Sequence, residues 1–435
     1  MSDIIIAGAG WSGCAAAVAA AKQGGNVTLM EKTDMVLGAG NAGGIMRNNG
    51  RFTAAEENIA LGASELFRLT DEFVLHRNID FPGHSHASFY DVAKLEPAVR
   101  RLLKDMGVKL MLQARAVDVV KDGQNAENNK ISGLKYISGG TGGETKYIEG
   151  DVFVETTGSS GPMGNCVKYG RGCAMCIQRC PSFGPRVSLT ERAGGVDLMG
   201  KRADGSFGAL SGSCKLEKRS LSTDLIERLE RDGFLVLPLP EHLINRGKLQ
   251  EKVCQQYALD EFAENLILID AGQVKVMSPF FELEKLRQIE GLENARFEEP
   301  MAGGGANSVR YMSVGRRTDY MEAECCENLF LGGEKSGLFV GHTEAITTGS
   351  LAGFNASRKA QGREMVRLPE ELAAGALLEQ GKRLLETEEG LYHRLTFAGG
   401  EFFDYMKTHG LYSVESDEIV KKVEALGLLD VYNRQ

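Results

Sequence analysis

Four of the nine cysteines lie within a stretch of fifteen residues in the middle of the chain. They are Cys166, Cys173, Cys176 and Cys180, and Pro181 directly follows the last of them. The spacing C-x-x-C-x-x-x-C-P is close to that of loops that bind iron-sulfur clusters, because short spacers let one loop present several sulfur atoms around a small object. The pattern therefore predicts a 4Fe-4S cluster with these four cysteines as its ligands.

Three other interpretations of the cysteines stay open. Structural zinc also accepts four thiolates, although its usual pattern has two C-x-x-C pairs and this segment has one. Cys173 and Cys176 alone could act as a redox-active dithiol, which would leave the other two thiols without a role. Buried packing is the remaining interpretation, yet a loop that contains glycine and arginine does not resemble a core element.

The N-terminus carries a pattern for binding a dinucleotide. Asp3–Ala7 is a short apolar run suited to a buried parallel strand. Gly8, Gly10 and Gly13 follow it with the spacing G-x-G-x-x-G, and an alanine-rich helix comes next. In such units the first glycine allows a tight turn, the second lets the backbone approach a pyrophosphate, and the third lets the helix pack close to the strand.

Two further features favour FAD as the dinucleotide. A second strand, Asn26–Met30, ends at Glu31, whose carboxylate can accept hydrogen bonds from a ribose. The stretch Leu37–Gly44, LGAGNAGG, adds a second glycine-rich loop where FAD enzymes commonly wrap the pyrophosphate and ribityl chain. We therefore expect FAD rather than NAD.

The elements that must position these residues are predicted from periodicity. Residues 88–112 have apolar positions at helical spacing, followed by a strand from Val108. Three strand-like segments come next, ARAVDVV, KISGLKYIS and TKYIEGDVFVETTG, and they predict a β-meander attached to a doubly wound sheet. The last segment ends at Thr156, Thr157 and Gly158, where we expect the chain to return to the cofactor.

The stretch Asn328–Gly362, together with the N-terminal glycines, resembles the two-part FAD site of the glutathione-reductase-like flavoproteins. It looks especially like the family that includes the glucose-inhibited division protein A and the folate-dependent tRNA methyltransferase flavoproteins. The matching elements are the strand LFLGG, Glu334, Gly341, the pair Glu344 and Ala345, and the helix GSLAGFNAS. The resemblance covers residues 1–160 and 300–362, and it implies a helix that begins near Thr343 and directs its positive end at the flavin.

The patterns and the resemblance together predict one set of FAD-binding residues. These are Gly8, Gly10, Trp11, Ser12, Gly13, Glu31, Lys32, Gly40, Asn41, Gly43, Gly44, Val117, Thr157, Gly158, Gly333, Glu334, Gly341, His342 and Thr343. His342 is also a weak catalytic candidate, although a histidine at a helix start is more often a cap or a packing residue.

We expect an α/β fold with a Rossmann-like FAD-binding domain, an inserted α+β domain for substrate and cluster, and a small C-terminal helical segment. The predicted boundaries are 1–161 and 300–362 for the FAD-binding domain, 162–299 for the inserted domain and 363–435 for the C-terminal segment. In the inserted domain, RVSLTERAG and FLVLPL read as strands, and STDLIERLERDG and GKLQEKVCQQYALDEFAENL read as helices. Ser222 is a candidate cap, and the inserted domain is expected to cover the flavin.

Other polar residues are weak catalytic candidates. Arg316 and Arg317 could hold a carboxylate or a phosphate, although solvated surface pairs are at least as common. The other candidates are Arg310, Tyr311, Tyr320, His84 and His86. Cys14, Cys325 and Cys326 are expected to pack in the core.

Composition restricts the classes of partner. The formal net charge of −9 and the pI of about 5.5 argue against a surface that attracts nucleic acid throughout, so nucleic acid is not the expected partner. Asp3 stands where a signal peptide would carry cations, and no stretch has 18 uninterrupted apolar residues. We therefore expect a cytoplasmic protein away from membranes, where clustered cysteines indicate metal or redox roles rather than disulfides.

The leading hypothesis from the sequence is an FAD and iron-sulfur oxidoreductase of low-oxygen metabolism. The cluster would exchange single electrons with the flavin, a ferredoxin-like protein would supply them, and a small molecule would be the substrate. One alternative, implied by the resemblance, is a tRNA-modifying flavoprotein that uses folate. Another is an electron-transfer subunit of a larger complex, and the helical tail could also form a homo-oligomer contact.

Overall fold

The computed structural model describes residues 2–121, 129–158, 179–207, 209–210, 214–251, 255–278, 281–298 and 309–434. The strands in these residues are β1 (Asp3–Ala7), β2 (Asn26–Met30), β3 (Ile45–Met46), β4 (Val74–Phe81), β5 (His84–Tyr90), β6 (Lys109–Met111), β7 (Ala114–Lys121), β8 (Ile131–Ser138), β9 (Glu144–Glu149), β10 (Val152–Glu155), β11 (Leu198–Met199), β12 (Ala209–Leu210), β13 (Cys214–Leu216), β14 (Phe234–Pro238), β15 (Asn265–Ala271), β16 (Gln273–Val276), β17 (Val309–Arg310), β18 (Ser313–Val314) and β19 (Leu329–Leu331). The helices are α1 (Trp11–Lys22), α2 (Gly50–Ala60), α3 (Glu65–Glu72), α4 (Val92–Asp105), α5 (Cys180–Phe183), α6 (Leu189–Arg192), α7 (Thr223–Asp232), α8 (Glu261–Glu264), α9 (Leu283–Leu286), α10 (His342–Ala360), α11 (Ala373–Leu384), α12 (Gly400–Thr408) and α13 (Ser416–Ala425).

A five-stranded parallel sheet lies at the centre, with the strand order β19–β10–β1–β2–β6. The apolar run of β1 is buried, as expected for a parallel strand with both faces covered. Helices α1 and α10 pack together on one face, and a Cβ atom on Gly349 or Gly353 would lie 2.1 Å from a backbone oxygen of α1. These features confirm the predicted Rossmann-like α/β fold.

The predicted meander is present as the antiparallel sheet β7–β8–β9. Its apolar side chains, such as Leu134, share a core with Ile5 and Phe153 on the other face of the central sheet. The segment TKYIEGDVFVETTG was predicted as one strand, and that prediction was wrong. Gly150 and Asp151 separate β9, which belongs to the meander, from β10, which belongs to the parallel sheet.

The chain between β10 and β19 forms an antiparallel sheet with the order β13–β16–β15–β14. Helix α7 covers one face of it with Leu225 and Leu229, and the Ser222 hydroxyl caps this helix as predicted by accepting a hydrogen bond from the Leu225 N–H at 3.4 Å. The other face packs through Ile267 and Ile269 on the small sheet β3–β5–β4. The inserted sheet therefore lies directly against the FAD-binding part of the chain.

Two predicted elements of the inserted region differ in the structure. RVSLTERAG was predicted as a strand, but residues 189–192 form the short helix α6, because Glu155 accepts hydrogen bonds from the Leu189 and Thr190 N–H groups at 3.0 and 2.7 Å. GKLQEKVCQQYALDEFAENL was predicted as one helix. Its described residues instead form two 3-10 turns, the short helix α8 and the start of β15.

The C-terminal helices α11, α12 and α13 pack into the same hydrophobic core as α1 and α10. Two of the predicted domain boundaries, at 161/162 and 299/300, fall outside the described residues, so the division stays a prediction. Among the residues that the structure describes, no helix has the length and apolar character needed to cross a bilayer.

Candidate functional site

The glycine pattern at the end of β1 forms a cradle with one open side. Gly8 has φ +102°, and a Cβ atom there would lie 2.4 Å from the Thr156 carbonyl oxygen. A Cβ atom on Gly13 would lie 1.8 Å from the Gly8 carbonyl oxygen, so both positions require glycine. Gly10 differs, because no described atom lies within 4 Å of where its Cβ would be. This open space at the N-terminus of α1 suits the close approach of a pyrophosphate.

Three buried polar atoms of the predicted site lack a hydrogen-bond partner among the described residues. They are Trp11 Nε1, Ser12 Oγ and Thr343 Oγ1. A buried polar atom without a partner destabilises a fold by about 1–3 kcal/mol. A Cβ atom on Gly333 would lie 2.9 Å from the Ser12 Cβ, so the two sequence-distant halves of the predicted site meet here. The residues present therefore fit a bound FAD, whose oxygen atoms would supply the missing partners.

Glu31 lies buried at the end of β2 with most of its hydrogen-bonding capacity used. Its Oε2 accepts a hydrogen bond from the Ala9 N–H at 2.8 Å. Its Oε1 accepts from the Thr33 N–H and hydroxyl at 2.9 and 3.0 Å. A carboxylate has about four acceptor positions, so one remains for a ribose hydroxyl, which suits the contact that the sequence predicts.

The second glycine loop runs from the phosphate end of the cradle to the start of α10. Leu37 forms an isolated bridge with Gly10 at one end of the loop. At the other end, a Cβ atom on Gly43 would lie 2.2 Å from His342 Cε1 and 2.5 Å from the Tyr90 hydroxyl. The predicted residues Gly40, Asn41 and Gly44 lie along the same path. The loop thus connects the N-terminal glycines with the start of α10.

The residues from the C-terminal half of the predicted site surround the start of α10. Gly341 precedes the helix with φ +142°, and the His342 ring stacks on the Trp11 indole with ring centroids 5.4 Å apart. The Gly333 N–H donates to the Thr348 hydroxyl at 2.8 Å. Thr157 donates to the Glu155 carboxylate at 2.9 Å, and the next residue, Gly158, is half-buried. Glu334 is half-buried beside Gly333, and Val117 is half-buried on β7.

A buried ion pair joins α2 to α10. The Arg51 Nε lies 3.2 Å from both carboxylate oxygen atoms of Glu344, and both side chains are at most 5% exposed. The Thr396 hydroxyl and the Phe397 N–H also donate to Glu344 Oε1, at 2.7 and 2.8 Å. Sequence patterns do not single out Arg51, because its partner is distant in the chain. The pair anchors the C-terminal segment beside the start of α10.

A second group of buried charges fixes the chain where it re-enters the fold after residue 178. Arg186 lies 3.7 Å from Glu155 and 3.6 Å from Asp197, and Lys335 pairs with Asp197 and donates to Ser188 at 2.8 Å. Burial alone would raise the pKa of Asp197, but the charges of Lys335 and Arg186 hold it below its ordinary value. The charges of the two cations balance those of the two carboxylates, so we assign this cluster a structural role rather than a catalytic one.

The loop after β3 is strained and lies against His84. Arg47 and Asn49 have φ +63° and +54°, which is uncommon for residues other than glycine. His84 Nδ1 lies 3.0 Å from the Asn48 amide nitrogen, and burial lowers the pKa of His84 to about 3. The imidazole is therefore neutral at physiological pH, so it does not serve as a cationic proton donor. His86, the other histidine candidate, is half-buried and its ring contacts the Asn78 side chain at 3.2 Å.

Two lysines of the inserted sheet reach the second glycine loop. The Lys215 Nζ donates to the Asn41 carbonyl at 2.9 Å, and the Lys275 Nζ donates to the Gly43 carbonyl at 2.5 Å. Lys215 on β13 stands directly opposite Lys275 on β16. A lysine between apolar residues in each of two short strands, CKL and QVKV, is the sequence signal that could have indicated this position.

The other catalytic candidates lie elsewhere. The buried Arg317 guanidinium donates to three carbonyl oxygens, those of Ser336, Thr318 and Leu378, which accounts for its place in the fold and corrects its proposed role as a substrate clamp. Arg316 and Tyr320 are exposed, Tyr311 is buried, and the Arg310 side chain lies outside the described positions. Cys14 and Cys326 are buried and Cys325 is half-buried.

Three of the four predicted cluster ligands, Cys166, Cys173 and Cys176, lie outside the described residues. Cys180 begins α5, and its Sγ lies 3.7 Å from the Lys32 Nζ. Lys32 follows Glu31 and also donates to the Gly184 carbonyl at 3.2 Å. Within the described part of the chain, no group of three or more histidine, cysteine or acidic side chains could hold a metal ion. Cys180 therefore lies beside Lys32, the residue that follows Glu31 in the chain.

Comparison with known proteins identifies relatives of this site. A family model described as glucose inhibited division protein A matches residues 3–265 and 275–364, about four fifths of the chain. The structure of GidA from Aquifex aeolicus superimposes with a TM-score of 0.60 at 18% identity and covers 98% of this chain and 76% of that chain. That likeness concerns the fold.

Curated relatives match over a shorter region. The methylenetetrahydrofolate–tRNA-(uracil-5-)-methyltransferase TrmFO of Caldicellulosiruptor bescii is 35% identical over 94 residues, 21% of each chain. The tRNA uridine 5-carboxymethylaminomethyl modification enzyme MnmG of Chlorobaculum tepidum is 33% identical over 108 residues, 25% of this chain and 17% of the relative. The chain thus matches about a fifth of the length of these relatives.

Proposed function

The chain belongs to the glucose inhibited division protein A family, and we propose that it is an enzyme that modifies a uridine of tRNA at carbon 5 of the base. The FAD-binding flavoprotein fold of the family is present, with the cradle described above. FAD, when bound, supplies reversible two-electron chemistry at its ring system. The proposal concerns the reaction and the substrate, which go beyond the family assignment.

The proposal depends on the names of two different relatives, because both names specify position 5 of the uracil base. One relative acts on uracil at carbon 5, and the other modifies a tRNA uridine at carbon 5. The groups that they attach differ, so the shared part is the target atom and the RNA. This agreement favours the tRNA-modifying hypothesis over the small-molecule oxidoreductase that the cysteine spacing indicated.

The residues of this chain would hold FAD in a fixed orientation relative to its substrate. Gly10 and the N-terminus of α1 would bind the pyrophosphate, and Glu31 would accept a ribose hydroxyl. Gly43, His342 and Tyr90 would border the ring end of the loop. The inserted sheet packs on β3 and β5 and would exclude water from this end, which strengthens the electrostatic interactions there.

Nucleoside analysis tests the proposal. Unmodified tRNA is incubated with the FAD-loaded protein, methylenetetrahydrofolate, the one-carbon compound named for the TrmFO relatives, and a nicotinamide reductant for the flavin, because a methylene carbon must gain two electrons to become a methyl group. The tRNA is then digested, and the masses of its nucleosides are measured by mass spectrometry. We expect one uridine to gain mass with wild-type protein and none to do so with a Gly10→Val variant that lacks FAD. Unchanged masses with every tRNA and donor tested would contradict the proposal.

A second candidate function is supported by the spacing of Cys166, Cys173, Cys176 and Cys180. According to this candidate function, the chain is an oxidoreductase of low-oxygen metabolism that holds a 4Fe-4S cluster and FAD and receives electrons from a ferredoxin-like donor. The position of Cys180 beside Lys32, the residue after Glu31, would place such a cluster near the predicted ribose contact of FAD, which weakens this candidate.

Iron and sulfide analysis of anaerobically purified protein separates the two candidates. The cluster hypothesis predicts about four iron and four sulfide per chain and their loss in the Cys173→Ala and Cys176→Ala variants. Cys214→Ala serves as the control, since this buried thiol lies on β13. Iron-free protein with full FAD content would contradict the cluster.

A further inference from the structure

We propose that Tyr90 is a positioning residue for the flavin ring of FAD, because its buried hydroxyl holds the His342 imidazole at the start of α10 with the ring proton on Nε2. His342 would then be a hydrogen-bond donor to the bound flavin. The proposal rests on the proposed function only through FAD, whose binding does not depend on the reaction or on the substrate. The names of the relatives assign no role to Tyr90.

Three parts of the chain border the His342 ring. Tyr90, the last residue of β5, is fully buried, and its hydroxyl oxygen lies 3.5 Å from His342 Nδ1. The Trp11 indole of α1 stacks on the imidazole with an angle of 30° between the ring planes. Gly43 of the second glycine loop lies against both side chains, since a Cβ atom there would be 2.2 Å from His342 Cε1 and 2.5 Å from the Tyr90 hydroxyl. These contacts leave the ring little freedom to turn.

The start of α10 has the features of a binding site for a group that accepts hydrogen bonds. The helix is 19 residues long, so its N-terminus carries a partial positive charge, and Gly341 in front of it contributes no side-chain cap. The Thr343 hydroxyl and Trp11 Nε1 belong to side chains that are at most 3% exposed, and neither atom has a hydrogen-bond partner among the described residues. Buried polar atoms of this kind favour a ligand that supplies their partners.

The flavin is the part of FAD that fits this position. The pyrophosphate belongs at Gly10, where the cradle is open, and the second glycine loop leads from the bridge between Leu37 and Gly10 to His342. The pyrimidine part of a flavin has carbonyl oxygens and gains negative charge on reduction, so it accepts hydrogen bonds more strongly when it is reduced. A donor at His342 would therefore favour the reduced over the oxidised flavin.

The proton of the Tyr90 phenol decides which imidazole nitrogen is the donor. Burial raises the pKa of Tyr90, so the hydroxyl keeps its proton at physiological pH and can donate it. When Tyr90 donates to Nδ1, the neutral imidazole carries its own proton on Nε2. The distance of 3.5 Å is long for a hydrogen bond, and such contacts commonly tighten once a ligand fills the site. We therefore expect the contact to shorten when FAD binds.

The first test is the midpoint potential of the flavin, measured by equilibration with a reference dye. Tyr90→Phe keeps the aromatic ring and removes the hydroxyl, so we expect FAD to stay bound and the preference for reduced over oxidised flavin to fall about tenfold. For a two-electron couple this change is about 30 mV towards more negative potential. Tyr432→Phe is the matched control, because Tyr432 is equally buried but packs on Phe354 rather than on His342, and it should leave the potential unchanged.

A double-variant cycle tests whether the hydroxyl acts through His342. His342→Phe removes the donor and should lower the potential at least as much as Tyr90→Phe does. In the His342→Phe background, Tyr90→Phe should have no further effect on the potential, because the group that it positions is already absent.

The second test reads the position of the proton directly. Nitrogen-15 NMR of protein with labelled histidine distinguishes protonated from unprotonated ring nitrogens, and the signals of His342 are those that disappear in His342→Phe. We expect the form with the proton on Nε2 in wild-type protein, with and without FAD, and a mixture of both forms in Tyr90→Phe. This test does not require FAD, so it decides the question even if a variant loses the cofactor.

The outcomes separate this inference from the proposed function. An unchanged potential in FAD-loaded Tyr90→Phe, an equal change in Tyr432→Phe or additive effects in the cycle would overturn the inference, even if tRNA is modified. A proton on Nδ1 of His342 in wild-type protein would overturn it as well. If tRNA is not modified but the potential and the proton position depend on Tyr90, the inference stands and the proposed reaction falls.

Discussion

Arg51 and Glu344 form a buried ion pair although 293 residues separate them in the chain. The pair connects the first turn of α2 with the first turn of α10, and Thr396 and Phe397 add hydrogen bonds from the C-terminal segment. Three parts of the chain that are distant in sequence therefore depend on one carboxylate at the start of α10.

We predict that Glu344→Leu lowers the free energy of unfolding by about 3–5 kcal/mol, because it removes the carboxylate that balances the buried Arg51 charge. Guanidinium chloride unfolding of the FAD-free protein measures the change. The control is Glu370→Leu, which removes an exposed partner of Arg383 and should change stability by at most about 1 kcal/mol.

The double variant Arg51→Met/Glu344→Leu should recover most of the loss, since replacing both members of a buried pair with apolar side chains is often neutral. Equal stability of the Glu344→Leu and Glu370→Leu proteins would show that the buried pair does not hold the segments together.

Gly10 and Gly13 should respond differently to a larger side chain. Gly10→Val should leave the FAD-free fold intact, because the described atoms leave the position open, but should prevent FAD binding through a clash with the pyrophosphate. Gly13→Val should destabilise the fold itself, because its Cβ would meet the Gly8 carbonyl oxygen at 1.8 Å. Absorbance at flavin wavelengths and thermal melting of FAD-free protein measure the two effects. Full FAD content in Gly10→Val would contradict the assignment of the cradle.

Glu57 should make the stability of the fold depend on pH. Its carboxylate accepts hydrogen bonds from the Ala373 and Ala374 N–H groups at 2.8 and 2.9 Å, yet burial raises the pKa of Glu57 to about 7. The folded state therefore holds a proton that the unfolded state releases above pH 4.5. Its contribution to stability is fully present at low pH and is lost as the pH rises through 7.

The comparison of wild-type protein with Glu57→Gln isolates this contribution. Between pH 5 and pH 8 the wild-type protein should lose about 2–3 kcal/mol more stability than the variant, in which no proton can leave. Chemical unfolding at the two pH values measures the difference. A stability difference between the two proteins that does not change with pH would contradict the shifted pKa.

Local patterns in the sequence predict the elements that bind the dinucleotide, because glycines and apolar runs act there over short distances. The bounds of β1 and β2 agree with the prediction, and α10 begins one residue before Thr343. The lysine pair and the Arg51–Glu344 pair could not be predicted in this way. Each pair forms only when two segments that are distant in sequence come together, and the local periodicity of the sequence does not predict such contacts.

The inserted region shows where local patterns mislead. A single helix over residues 247–266 would be about 30 Å long. Its ends would have to join β14 and β15, which lie side by side with Pro238 opposite Asn265. Leu266 likewise lies opposite Leu237, so the last two residues of the predicted helix belong to β15. The pairing of β14 with β15 therefore outweighs the helical pattern of the local sequence.

The most direct test of the proposed function is tritium release from tRNA labelled at carbon 5 of its uridines. Substitution at carbon 5 breaks the bond to hydrogen whatever group is attached, so tritium release reports the reaction with any donor that is supplied, including methylenetetrahydrofolate with a reductant for the flavin. We predict release by the FAD-loaded protein, in proportion to the modified uridine, and none by Gly10→Val. Full retention of tritium by tRNA that binds the FAD-loaded protein would contradict modification at carbon 5.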